Sequence, residues 1–202
     1  MSRVRTRPTR DDTREKLFEA AARVCEEQGI GAASIEDIAA AAGFTRGAFY
    51  SNFKSKDELV IAMIEEHVDQ SIRRMHELLA EHKTLPDFIN ALRNMDRSKQ
   101  DPLGRSPLLH MEMILFVARA EKRRPELAKR LRARRKLIAD IVETTAKNSN
   151  RNTLLNPGWV GAVVLALEDG FRLHRLIDPE TPADSFLRAI ADLQRAIGIP
   201  PS

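Results

Sequence analysis

The stretch FTRGAFYSNFKSKDEL, Phe44 to Leu59, interleaves aromatic rings with basic side chains around a single glycine, Gly47. A buried core takes rings without charge, and a solvated helix face takes charge without rings, so neither accounts for the mixture. The flanking residues decide the reading. Upstream, TREKLFEAAARVCEEQG carries an apolar stripe at helical spacing and then meets stop signals at Gly29 and Gly31. Ser34 opens SIEDIAAAA with Asp37 three residues on, close to a capping box, and Gly43 ends that helix. Thr45 is placed to cap the next helix, and Ser55 with Glu58 forms a Ser-x-x-Glu box that opens a fourth.

The segments 35–42 and 45–52, joined at Gly43-Phe44, have the layout of a helix-turn-helix. Ile38, Ala39, Phe44 and Phe49 are spaced to bury the angle between the two helices. The second helix begins Thr45-Arg46-Gly47, and a recognition helix presents its N-terminal end to base edges in the major groove. There Arg46 has the fork that binds guanine O6 and N7, and Gly47 allows close backbone approach. Tyr50, one turn on, is placed to donate its hydroxyl to a phosphate. Lys54 and Lys56, with the amides of the helix capped by Ser55, form an expected anion site. On this reading Phe49 and Phe53 face the core and Tyr50 faces outward. A three-helix core with merely solvated charges is the competing reading.

Composition agrees with a helical, globular chain. Of 202 residues, 43% are hydrophobic and 31% charged, outside the disordered range, and no tight hairpin turn is flanked by alternating β-branched runs. The expected fold class is all-α. Val60, Ile64, Val68, Ile72, Met75 and Leu79 form one apolar stripe, so the fourth helix continues to about residue 80 and connects two parts of the chain. The expected organisation is an N-terminal unit over 11–57, a connecting helix over 58–80 and a C-terminal unit over 81–202. In the latter, helices are expected over 84–98, 105–119, 125–148, 157–178 and 182–197, with Pro157 and Pro182 in first turns behind Asn156 and Thr181. The lone Cys25 has no internal partner and sits at helical spacing with Leu17, Ala21 and Val24, as a small core residue would. The N-terminus lacks the apolar stretch of a signal peptide. The most apolar window, 159–177, is broken by Glu168, Asp169, Arg172 and Arg175, so no membrane association and a cytoplasmic location are expected.

The formal net charge of +4 conceals its distribution. Residues 119–136 alone carry a net +8 and the first ten residues a net +4, leaving the remainder at −8. Leu127, Leu131, Ile138 and Ile141 keep an apolar stripe beneath the basic run, which puts most of its arginines on a solvated face. An anionic ligand or a secondary DNA contact are its functional readings. Arg3, Arg5, Arg7 and Arg10 read either as a minor-groove arm or as a solubilising tail.

FTRGAFYSNFKSKDEL resembles the recognition-helix signature of the TetR (tetracycline-repressor-like) regulators, Gly-x-aromatic-Tyr-x-x-Phe-x-x-Lys-x-x-Leu. ASIEDIAAAAG and REKLFEAAARVCEEQG resemble that family's two preceding helices. The likeness covers about residues 12–65 and implies a dimeric, all-helical transcriptional regulator with a variable C-terminal ligand domain. It puts Thr45, Arg46 and Gly47 on base-reading positions and Tyr50, Asn52, Lys54 and Lys56 on mainly phosphate-contacting ones; Asn52 departs from the aromatic or histidine common there. LLHMEMILFVARAEKRRPELAKRLR and ALEDGFRLHRLIDPETP resemble its later helices more weakly and identify no ligand.

Met95, Met111, Met113, Phe116 and Trp159 supply soft surface suited to an adaptable apolar pocket, or to plain core. His110 and Glu112 interrupt the apolar run Leu108–Val117 and are the candidate polar anchors of a ligand site, with Glu168 and His174 next. Trp159, Gly161, Ala162, Ala166 and Gly170 give the helix over 157–178 a face rich in small residues. With the helix over 182–197 it would form a four-helix bundle across a two-fold axis, the homodimer the resemblance implies. No nucleophile elbow, P-loop, dinucleotide fingerprint or paired metal-ligand motif is present, so no enzyme, no cofactor and no metal are expected. The expected function is a sequence-specific DNA-binding regulator, a repressor released from a palindromic operator by a small, mostly apolar effector. The alternative is a DNA-binding regulator without such a ligand, controlled by a protein partner or by abundance.

Overall fold

Helix α1 (Arg10–Gln28) starts where Thr9 and Asp12 exchange side-chain and backbone hydrogen bonds, and it ends at Gly29, whose φ of 85° glycine adopts without strain. The computed structural model describes residues 9–94, 106–122, 124–148 and 156–196, and all regular elements among them are helices. Ser34 and Asp37 repeat the reciprocal box at the start of α2 (Ile35–Ala41). Gly43, at φ 73°, then turns the chain into the short α3 (Arg46–Tyr50), capped by the Thr45 hydroxyl. Ile38, Ala39 and Phe49 are buried in the angle between α2 and α3, as their spacing requires.

Helix α4 (Lys56–Glu81) runs 26 residues, about 39 Å at 1.5 Å per residue. Its first half buries Leu59, Val60, Met63 and Ile64 in a core shared with Leu17, Phe49 and Phe53. Its second half lays Ile72, Met75, Leu78 and Leu79 against a separate core of Phe88, Leu137 and Ile141. One helix therefore belongs to two cores. The remaining elements are α5 (Leu85–Asn94), α6 (Pro107–Arg119), α7 (Arg124–Asn148), α8 (Pro157–Ile177) and α9 (Ser185–Ala196). Among the described residues no helix is long and apolar enough to cross a membrane.

Helix α6 is attached to the N-terminal helices by apolar burial. Leu109 and Met113 are 1% and 4% exposed within the first core. Burying a side chain of that size contributes about 1.5–3 kcal/mol, against about 0–1 kcal/mol for a surface ion pair. Arg130 of α7 secures α4 through Nη1, which donates to both carboxylate oxygens of Asp69, while its Nη2 lies 3.8 Å from Glu65. The hydrogen bond to Asp69 raises the Arg130 pKa further above its already high value, so the guanidinium stays charged. Burial pushes the Cys25 thiol up to about 11, which makes it a protonated core group at neutral pH.

Several sequence expectations change. Helix α9 begins at Ser185, so Pro182 lies ahead of it in a turn instead of in its first turn. Asn156 does cap α8 with Pro157 behind it. Leu131 is 58% exposed and leaves the stripe under the basic run. Ser55 caps α4, but the Glu58 carboxylate accepts from the Lys54 amide and not from that of Ser55, so the box is displaced by one residue. Gly161 does not lie on an outward face. A Cβ there would stand 2.5 Å from the Arg135 carbonyl oxygen, so the glycine is what lets α8 close on α7. Gly161→Ala is expected to lower the stability measured by denaturant unfolding by about 1–3 kcal/mol. An unchanged midpoint would mean that the two backbones separate without penalty.

Candidate nucleic-acid interface and effector cavity

The N-terminal end of α3 is open to solvent. Thr45, Arg46, Gly47, Tyr50 and Lys54 are all exposed, while Phe49 and Phe53 of the same stretch are buried at 0% and 1%. The Thr45 hydroxyl accepts from the Ala48 amide at 3.2 Å and so serves as the cap, keeping its own proton to donate. Arg46 lies over the Tyr50 ring, 5.5 Å from its centroid, and donates to the Tyr50 hydroxyl at 3.3 Å. Its other nitrogen meets Glu36 of α2 at 2.8 Å, an ion pair more than half exposed on both sides. An exposed pair of this kind is worth little, so Glu36 orients the fork without sequestering it. Sequence reasoning missed Glu36: it set α2 against α3 through their apolar residues, but the spacing does not say which exposed side chain of α2 the Arg46 guanidinium meets.

Three expected phosphate contacts are placed differently. The Lys56 ammonium points away from α3 and donates to the carbonyls of Ile30, Gly31 and Ala33 at 2.8, 3.0 and 2.8 Å. All three of its protons are committed there. Asn52 is half-buried and donates to the Ala48 carbonyl of its own helix at 2.9 Å, with its Oδ1 buried. The expected anion site at the start of α4 already holds the Glu58 carboxylate.

The turn that Lys56 holds is held from its other side as well. Glu112 of α6 accepts from the Ile30 amide at 2.5 Å. A Cβ at Gly29 would lie 3.1 Å from the same carboxylate. The Ile30 residue thus gives its N–H to an acidic side chain of α6 and its C=O to a basic side chain of α4. Glu112, expected in a ligand pocket, is a strut between α6 and the α1–α2 turn.

A cavity of about 160 Å³ lies among α4, α5, α7, α8 and α9, with His110 of α6 at its edge. His110 and Glu168 line it, as do Arg134 and Arg172, which the sequence reading had not singled out. His110 Nε2 meets Asp169 Oδ1 at 2.9 Å. The other candidates lie elsewhere. Phe116 packs against the first core, Met111 is not part of the lining, and Trp159 is 62% exposed, away from the cavity. Met95 falls outside the described residues. Among the described residues no three His, Cys, Asp or Glu side chains gather as a metal site would require. On α8, Trp159, Ala166, Leu173 and Ile177 are exposed along one stripe, opposite the face that carries Gly161 and Leu165.

Residues 17–63 match the family described as "Bacterial regulatory proteins, tetR family". The HTH-type transcriptional regulator TtgR of Pseudomonas putida is 35% identical over 88 residues, 44% of this chain and 40% of TtgR. The HTH-type transcriptional repressor NemR of Escherichia coli is 32% identical over 71 residues, 35% of this chain and 36% of NemR. These matches span well under half the length of either relative. In fold the likeness extends further. A TetR-family regulator from Cytophaga hutchinsonii superposes with a TM-score of 0.74 at 18% identity, over 95% of this chain and 98% of that one. Reduced E. coli NemR superposes with a TM-score of 0.71 at 22% identity, over 94% and 99%. The family match falls on the helices that carry the Gly43 turn and the exposed end of α3, and the likeness in fold runs on through α9: residues 17–63 form a domain of the tetR family of bacterial regulatory proteins, carried on a chain that shares its fold with regulators of that family.

Proposed function

We propose that the protein is a dimeric, sequence-specific DNA-binding transcriptional regulator, a repressor that leaves a palindromic operator when a small effector enters the α4–α9 cavity. The observation that carries this reading is the exposed N-terminal end of α3, where Thr45, Arg46, Gly47 and Tyr50 stand clear of a core completed by Phe49 and Phe53. Residues 11–57 act as the reading head, 58–80 as the connector and 81–202 as the effector and dimerisation unit. Thr45, Arg46 and Gly47 read bases, and Tyr50 and Lys54 contact phosphates. The exposed apolar stripe of α8, joined by Leu193 of α9, supports pairing of two subunits across a two-fold axis. Two reading heads so related require half-sites about one helical turn or more apart.

Coupling between cavity and reading head runs through α6 and α4. His110 touches the cavity, and two residues later Glu112 holds the Ile30 amide; Lys56, at the start of α4, holds the Ile30 carbonyl. A shift of α6 or α4 on effector binding is therefore felt at the α1–α2 turn. Effector and operator then favour different arrangements of one subunit pair, and by linkage each weakens the other by the same factor.

Selection of bound fragments from randomised duplex DNA, at near-physiological salt, tests the reading. A two-fold symmetric consensus is expected. Binding that fades with salt and enriches no sequence would leave only charge-driven association. Arg46→Ala is expected to lose about 1–3 kcal/mol of operator affinity and to relax specificity at one base pair; uniform weakening on every sequence would reassign Arg46 to the DNA backbone. Glu112→Ala is expected to keep both operator and effector binding while their mutual antagonism falls by about fivefold or more. Antagonism of unchanged size would remove Glu112 from the coupling.

A further inference from the structure

Among the described residues, the lining of the α4–α9 cavity carries more positive than negative charge. Glu168 of α8 receives Arg134 of α7 on one carboxylate oxygen and Arg172 of α8 on the other, each at 2.9 Å. The three side chains are only 12%, 23% and 17% exposed respectively, so the group is largely out of water. Arg74 of α4 lines the same cavity. Among the described residues that line the cavity there are thus three guanidiniums and one carboxylate. Among the described residues, Asp169 pairs with His110, Asp69 and Glu65 with Arg130, and Glu66 with Arg73. Away from these groups the walls are apolar, formed among others by Phe88, Ile89, Leu137, Phe186 and Ile190.

Excess positive charge in a poorly hydrated cavity is unfavourable unless an anion joins it. The guanidinium fork matches a carboxylate in shape as well as in charge. The cavity of about 160 Å³ is close in size to one of about 150 Å³ known to accept a single benzene ring. We infer that the effector is a small amphipathic monoanion, a carboxylate on one aromatic ring or a short alkyl chain, with its charge among Arg134, Arg172 and Arg74 and its body against the apolar walls. Glu168 serves as an internal stand-in for that carboxylate. It holds the two arginines in place while the cavity lacks its ligand and competes with the ligand for them. This inference rests on the proposed effector role of the cavity, and it names the chemistry that role uses.

Calorimetric titration of the full chain without DNA, using benzoate, benzamide and benzylamine and then hexanoate, hexanamide and hexylamine, tests it directly. The anion of at least one set is expected to bind about tenfold or more tightly than its amide and amine. Glu168→Gln, checked for native helicity by circular dichroism, is expected to tighten binding of that anion, and Arg134→Gln to weaken it. An amide or amine that binds as tightly as its anion would overturn the inference and leave a ligand-responsive regulator in place. So would the absence of heat from every probe at millimolar concentration. An anion that binds but leaves operator affinity unchanged would uphold the cavity chemistry while removing the proposed effector response. The operator selection stands or falls independently of all these outcomes.

Discussion

The main-chain groups of Ile30 are claimed by two charged side chains from different parts of the chain. Its amide bonds to Glu112 of α6 and its carbonyl to Lys56 of α4. A turn between two helices normally leaves such groups to water. Here they form the point at which the N-terminal helices are tied both to the helix that leaves them and to a helix that arrives some eighty residues later. Lys56 adds the carbonyls of Gly31 and Ala33, so the turn follows the start of α4 as one piece. Hydrogen bonds to charged groups contribute about 1.5–3 kcal/mol each, enough for the orientation of α1 and α2 to respond to a small shift of either partner.

Apolar packing repeats the same arrangement on a larger scale. Helix α4 lies in both cores, and α6 buries Leu109 and Met113 beneath the reading head while His110 reaches the cavity. The two parts of the chain are therefore not beads on a linker. A packed interior does not deform continuously, so a helix shared by two cores moves as a unit with respect to both. Gly161 sets how near α7 and α8 approach, which in turn sets the spacing of Arg134 and Arg172 around Glu168.

The basic run shows how one segment can serve several ends. Arg130 turns toward α4 and Arg134 toward the cavity, while Arg119, Lys122, Arg124, Lys129, Arg132, Arg135 and Lys136 remain exposed. A helical period of 3.6 residues separates these directions along one sequence, so neighbouring arginines have unrelated roles. The same periodicity divides α8 into a face that closes on α7 and an exposed apolar stripe.

Local chemistry was legible from the sequence alone. Capping residues, the glycine turn at Gly43, the four-residue apolar steps of α4 and the inward rings of Phe49 and Phe53 all depend on neighbours within one or two turns. Those are distances that sequence spacing specifies. The all-helical class and the exposed N-terminal end of α3 followed from them. What Lys56, Asn52, Glu112 and Trp159 do was not legible, because a polar or aromatic side chain has several possible partners and only the packing of distant helices selects one. Lys56 looked like a phosphate ligand until the α1–α2 turn came within reach, and Glu112 like a pocket anchor until α6 crossed that turn. The charge balance of the cavity likewise exists only once α4, α7 and α8 meet. Sequence by itself determined the helices and their caps; tertiary structure decided which charges meet, because ion pairs and cavities form between elements whose separation along the chain carries no information about their separation in space.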